Sequence, residues 1–539
     1  MMRAFAQVLD RLYYTSSKLA KTVLLHSYWQ TTADPDRGWA VAVMASALKF
    51  KSFKRGLVRD LMCERVDPLL YHLCYDYVGE TAETVSHLWP STKHAGTDSL
   101  PRLNQVIHAL NTLSGAELEA YVIALLDAAT ATERWAFIKL ATGGLRIGIS
   151  QRFLKQALAD YGQRDVCEIE AIWHGLTPPY NGLFDWLEGR AACPELRTGP
   201  TFHPVMLAHP LPAERLAAIS PEEFVAEWKY DGVRVQLVVA DAQAALFSRT
   251  GDSIGHTFPE LLQAVASPVV LDAELVVKPG GSWGTFADLQ QRLNRKHVSS
   301  RWLRDYPAHL IVYDILSARE KTLTDVPFMQ RRQYLEQWYA AHSSGFLSVS
   351  PLVEFDNVAD LRALREACGR PGKVHLEGFM FKRRDSLYVA GRPMGQWYKW
   401  KRDPFLIDTV MLYAQRGHGK RSSLYSDYTF GLWSNGELLP VGKAYFGFTN
   451  EELLELDKWV REHTVSRFGP VRELQHGLVL EIAFDSVHAS PRHKSGVALR
   501  FPRVHRIRWD KPYEEADTLA TLQALILKRP HPAQLELFD

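Results

Sequence analysis

Cysteine is scarce in this chain of 539 residues. Cys63, Cys74, Cys167, Cys193 and Cys368 are widely spaced and form no CxxC pair, which argues against a disulfide framework and a structural zinc site. Long apolar runs are also missing. The opening MMRAFAQVLDRLYYTSSKLA reads as an amphipathic helix without the apolar core of a signal peptide, and no membrane-length run comes after it. The expected compartment is the cytoplasm. Nor is there an excess of one charge: Lys plus Arg number 63 against 61 Asp plus Glu, so a nucleic-acid binder of this composition must gather its basic residues on one face. Internal repeats and low-complexity segments are absent. The rest of the composition, 46% apolar residues with 11% aromatics, describes a globular chain with sizeable cores and room for several domains.

Up to about Gly189 the pattern is helical. NQVIHALNTL, GAELEAYVIALLDAA, ERWAFIKLATG and SQRFLKQALADYG repeat apolar residues at helical spacing. Ser114, with Glu117 three residues on, predicts a capping box for the second of these. KFKSFKRGLVR, residues 49–59, gathers Lys49, Lys51, Lys54, Arg55 and Arg59, a solvated helix face or a phosphate-contacting one. ACPELRTGPTFHP then reads as a linker. From Phe224 the period becomes two: in FVAEWKYDGVRVQLVVA, Val233, Val235, Leu237 and Val239 share a face. PVVLDAELVV, HLIVYDIL, HLEGFMFK and QWYKWK are further strands. Past Asp403-Pro404, LIDTVMLYAQ, YTFGLWSNG and LVLEIAFDS read as strands and NEELLELDKWVREHT as a helix, a composition suited to a small β-barrel.

The chemistry centres on Lys229-Tyr230-Asp231-Gly232-Val233-Arg234. A lysine at a strand end beside a glycine turn can present its amine to an electrophile that approaches the backbone closely; an exposed lysine near a hairpin is the ordinary alternative. Five more patterns come after it in order: Ser248-Arg249-Thr250-Gly251; Leu271-Asp272-Ala273-Glu274, a carboxylate in an apolar strand; Val312-Tyr313-Asp314, an aromatic at a strand end; Glu377-Gly378-Phe379-Met380-Phe381-Lys382; and Trp397-Tyr398-Lys399-Trp400-Lys401, with two lysines on one strand face. Residues 491–511 hold seven Lys or Arg against one acid, Asp510, which favours phosphate contact over a solvated face.

In this order the motifs resemble those of the ATP-dependent DNA ligases of the covalent nucleotidyltransferase superfamily, from KYDGVR to FPRVHRIRWDK at 501–511. ATGGLRIGIS, residues 141–150, is similar to a signature of the helical DNA-binding domain of larger ligases, and PVMLAHP, residues 204–210, to the opening of their adenylation domain. The resemblance spans about residues 100–515 and is best to bacterial ligases with the added N-terminal domain. It implies an all-α DNA-binding domain over 1–195, an α+β adenylation domain over 201–403, a β-barrel OB-fold over 404–515, and a C-terminal helix and tail over 516–539. A capping guanylyltransferase shares the K-x-D-G core but lacks such a helical domain, and an NAD-dependent ligase normally carries a cysteine zinc site.

The resemblance also implies roles. Lys229 attacks the α-phosphate of ATP; Glu227 contacts the adenine amine and Tyr313 stacks on the base; Arg234, Arg249 and Arg392 hold ribose and phosphates. Glu274 and Glu377 place Mg²⁺, for which Mn²⁺ can substitute, and Lys399 and Lys401 neutralise the α-phosphate. Arg508, Asp510 and Lys511 address the departing pyrophosphate. A free lysine has a pKa near ~10.4 and must be shifted down to act at neutral pH, with Lys399, Lys401 and the metal as the expected causes. The implied partner is nicked double-stranded DNA, bound without regard to sequence by a monomer near the bacterial nucleoid, with no membrane. Finally, QLELF in the tail resembles the QL-x-LF peptides by which bacterial proteins dock on the sliding clamp: Leu537 and Phe538 would fill an apolar pocket and Gln534 bond at its rim, unless these side chains fold back as core.

Overall fold

The computed structural model describes residues 2–90, 100–194, 199–293, 295, 297–319, 321–370, 372–417, 424–491 and 493–526. The chain divides into two compact units, one built essentially from the first 197 residues and the other from most of the remaining chain.

The first unit is helical throughout. The four periodic segments form helices Leu103–Thr112, Gly115–Ala128, Ala131–Thr142 and Gln151–Gly162. Ala131–Thr142 is the central one, buried on every side, including Glu133, Arg134 and Lys139. Such charges survive in a core only when paired. Arg134 donates to the carbonyls of Leu126 and Trp89, Lys139 pairs with Glu80 at 3.2 Å and Glu133 with Arg3 at 2.7 Å. The capping box expected at Ser114 does not form: Gly115 enters the helix with φ +53° and the Ser114 hydroxyl makes no cap hydrogen bond. The box appears instead at Thr130 and Glu133.

The second unit holds two layers and then a third sheet. A five-stranded sheet runs His209–Pro210, Trp397–Lys401, Leu376–Arg383, Phe224–Tyr230, Leu352–Val353. A six-stranded sheet runs Gln243–Ser248, Val233–Ala240, Val269–Val277, Ala308–Ala318, Lys321–Thr322, with Leu347–Val349 added parallel to Ala308–Ala318. Between them pack Met206, Val238, Val270, Leu316, Tyr388 and Trp397, and helix Phe328–His342 contributes Leu335 and Trp338 to the core of the six-stranded sheet. The polypeptide passes from the first sheet to the second at Asp231-Gly232, between strands Phe224–Tyr230 and Val233–Ala240. Beyond Lys401 the strand Phe405–Arg416 opens a seven-stranded sheet, flanked by helix Asn450–Glu462. The expected class, helical domain then α+β domain then strand-rich OB-like domain, is the architecture found. No described helix is long and apolar enough to cross a membrane.

Candidate active site

Strand register assembles the site. Gly378 lies opposite Lys229 on one side and Lys401 on the other; two residues on, Met380 lies opposite Glu227 and Lys399. Since side chains alternate along a strand, Glu227, Lys229, Lys399 and Lys401 fall on one face. Two glycines permit this packing. A Cβ on Gly378 (φ +143°) would lie 2.2 Å from the Trp400 carbonyl oxygen, and one on Gly232 would lie 2.4 Å from the Leu275 oxygen and 2.8 Å from Glu274 Cγ. Any side chain at either place would push the strands carrying Lys401 and Glu274 away from Lys229.

Lys229 Nζ meets Glu377 Oε1 at 2.5 Å, and Lys401 Nζ meets Glu377 Oε2 at 2.7 Å. This corrects the electrostatics expected from the sequence. Burial pushes the Lys229 amine down, but Glu377 and Glu274 outweigh it and hold the amine above the ordinary lysine value. The cations act on Lys399 instead, which burial first, then Lys229, Lys401, Arg392 and Arg249, push down. Glu274 is raised to about 7, by burial above all, with Lys229 opposing. Its carboxylate makes no hydrogen bond or ion pair among the described residues. A half-buried carboxylate without an ion pair among the described residues, near a second one already shared by two lysines, is a donor set that suits a hard divalent ion completed by waters and phosphate oxygens. Among the described residues no larger cluster of His, Cys, Asp and Glu offers a metal site.

Glu227 lies at the floor, 1% exposed, paired with Lys382 at 2.6 Å and Arg332 at 3.4 Å. Arg234 is fully engaged: it grips Asp272 at 2.9 and 2.5 Å, the Met206 carbonyl at 2.6 Å and the Tyr388 hydroxyl at 3.0 Å. Tyr388 in turn donates to Asp272 at 2.6 Å. Tyr313 is not at a strand end as expected. It falls at a bulge inside Ala308–Ala318, where the pairing skips from Val312 to Asp314, and a bulge re-aims a side chain. Its ring has Lys382 Nζ at 4.8 Å and the Arg234 guanidinium at 5.9 Å from its centre. Arg249 is pushed down by burial and by Arg234 and Arg392; Arg392 itself is exposed.

The three residues of the last motif make their ion pairs elsewhere. Arg508 and Lys511 converge on Asp408 at 3.2 and 2.8 Å, and Arg508 also holds Asp510 at 2.8 Å. Another residue of the same basic stretch pairs with the KYDGVR motif. Arg500 reaches both oxygens of Asp231 at 2.6 and 2.8 Å, with its guanidinium 3.8 Å from the centre of the Phe286 ring. Sequence reasoning gave no role to Arg500, Arg332, Lys382, Asp272 or Tyr388, although Asp272 and Lys382 stand inside two of its motifs and Arg500 inside the basic excess of 491–511. Gln534, Leu537 and Phe538 lie outside the described residues.

Comparison with known proteins gives a consistent result. Three family models match: DNA ligase N terminus over residues 1–159, ATP dependent DNA ligase domain over 205–401, and ATP dependent DNA ligase C terminal region over 421–511. A probable DNA ligase of Koribacter versatilis is 31% identical over 98% of this chain and 97% of its own. A DNA ligase of Thermococcus fumicolans is 29% identical over 71% of this chain and 70% of its own. Among solved structures, Pmar-Lig_PreS3 shares the fold, with a TM-score of 0.62 at 16% identity over 94% of this chain and 99% of that one.

Proposed function

The chain belongs to the ATP-dependent DNA ligases, and we propose that Lys229 is the amine by which it takes AMP from ATP. As a member of that family it seals 5′-phosphate/3′-hydroxyl nicks in duplex DNA through a lysine–AMP intermediate and adenylylated DNA, the chemistry that repair, replication and recombination require. The observation that carries the assignment is the Lys229–Glu377–Lys401 line, set on adjoining strands with Glu274 across the pocket.

Lys229 Nζ forms the bond to the α-phosphorus as the bond to pyrophosphate breaks. The amine must first lose its proton to solvent. Glu377, which burial pushes up but Lys229 and Lys401 hold below its ordinary value, orients the amine as its hydrogen-bond partner and does not act as the base. Lys399, held low in pKa and without an ion pair among the described residues, stands ready for the α-phosphate oxygens, where charge builds as pyrophosphate leaves. Glu274 and Glu377 would hold Mg²⁺ (or Mn²⁺), which when bound would withdraw charge from the phosphates. Tyr313 receives the base and Glu227 its amine. Arg234, locked by Asp272, Met206 and Tyr388, borders the ribose and keeps that wall of the site in place, and Arg249 and Arg392 face the phosphates. Arg508, Asp510 and Lys511 serve pyrophosphate departure, for which the pairs with Asp408 keep two cations ordered. Labelled ATP, GTP and NAD, each incubated with the protein and Mg²⁺, test the reading: covalent label comes from ATP alone, whereas label from GTP would mark capping chemistry.

The domain limits are 1–195, 201–403, 404–515 and 516–539, and the protein works as a cytoplasmic, nucleoid-associated monomer that holds nicked DNA by phosphate and sugar, hence without sequence preference. Its QLELF tail docks on a bacterial sliding clamp. Clamp capture should be lost in a chain ending at Pro532; equal capture by both forms, or none by the full chain, ends that assignment.

A further inference from the structure

Glu227 is nearly sealed from solvent, yet its carboxylate is not saturated. Oε2 meets Lys382 Nζ at 2.6 Å and Oε1 meets Arg332 Nη1 at 3.4 Å, two contacts where a carboxylate can take about four. The Lys382 side is rigid: its ammonium lies 4.6 to 4.8 Å from the ring centres of Trp397, Phe328 and Tyr313, and donates to the Tyr313 carbonyl at 3.3 Å. The Oε1 side depends on one residue. Arg332 projects from helix Phe328–His342, and its fork is fixed by Glu336 at 2.6 Å and the Ser350 carbonyl at 2.6 Å. Ser350 also bonds the hydroxyl of Tyr230, beside Lys229, at 3.1 Å. A planar guanidinium pinned at two points sets the direction of whatever its remaining N–H reaches. The long contact to Oε1 leaves that oxygen able to accept a further N–H.

We infer that Arg332 is a positioning residue for purine selection: it fixes the plane and charge of the Glu227 carboxylate so that Oε1 faces the 6-amino group of adenine as an acceptor. The inference rests on the reading of Glu227 as the adenine contact. Adenine offers an N–H donor at position 6, whereas a 6-oxo purine offers an oxygen, which a fixed anionic acceptor repels. Freed of Arg332, the carboxylate pivots about its Lys382 bond, or takes up a proton and donates to the 6-oxo oxygen, and the discrimination falls.

The test is the ratio of kcat/KM for transfer of label from ATP and from ITP to the full-length protein, in wild type, Glu227→Gln, Arg332→Met and Arg332→Lys. The ratio cancels any loss of folded protein. In Arg332→Met it should fall by about tenfold or more, the scale of one charge-assisted hydrogen bond, mainly through a higher KM for ATP. Arg332→Lys, which keeps the charge without the fork, should give an intermediate ratio. Equal losses with both nucleotides in Arg332→Met and Arg332→Lys would make Arg332 only a structural tie and overturn the inference, while a lowered ratio in Glu227→Gln alone would leave the adenine reading standing. An unchanged ratio in Glu227→Gln would remove that reading and the inference with it.

Discussion

Replacing Lys229 with Ala should abolish protein–AMP formation, by at least about a thousandfold, the scale on which deleting a nucleophile acts. Sealing of a nick whose 5′ end already carries AMP should survive in part, because that reaction needs the phosphate contacts of Lys399 and Lys401 and not a new bond to Lys229. The wild-type rate of AMP uptake should also rise with pH. Glu377 and Glu274 hold the Lys229 amine above its ordinary value, so the unprotonated, nucleophilic form gains population as pH climbs toward that value and is scarce at neutrality until phosphate or metal alters the field. Gel assay of labelled protein, run beside sealing of a pre-adenylylated nick, reads both halves. Normal labelling of Lys229→Ala would take this lysine out of the mechanism.

Local patterns reach far into this site, and stop where chain separation grows. Alternation puts Lys399 and Lys401 on one face, and K-x-D-G and E-G mark the two places where backbone must approach closely. Those features depend on a few neighbouring residues. The field around Lys229 does not: two carboxylates from strands 45 and 148 residues downstream set it, as the positions of Glu274 and Glu377 give, and proximity of lysines along one strand suggests the opposite sign. The same holds for the ties. Asp231 and Arg500 are 269 residues apart and Glu227 and Arg332 are 105 apart, and arginine in a helix carries no mark of which carboxylate it will reach. Ser114 shows the limit at short range: the right residue types stand at capping-box spacing, but a left-handed Gly115 turns the hydroxyl away.

A fragment beginning near Thr201 should take up AMP from ATP about as well as the whole chain, yet bind nicked DNA at least about a hundredfold more weakly, the scale on which several phosphate contacts act together. All the residues around Lys229 lie in the second compact unit, which has its own cores, so removing the first leaves the adenylylation pocket intact. A basic surface leaves with the helical unit. Phe53 is buried and anchors the stretch 49–59, while Lys49, Lys51 and Lys54 are exposed; none of the three makes an ion pair among the described residues. Arg59, by contrast, is neutralised by Asp60 at 2.7 Å. Exposed lysines that no acid pairs with can neutralise the phosphates of a bound duplex. For every phosphate that these lysines no longer neutralise, the slope of log affinity against log salt should fall by about 0.9. Titration of labelled nicked duplex at several salt concentrations therefore separates this surface from a merely structural one. A weaker affinity with an unchanged slope would place the loss outside these lysines, and equal affinity for fragment and full chain would deny the helical unit its part in gripping DNA.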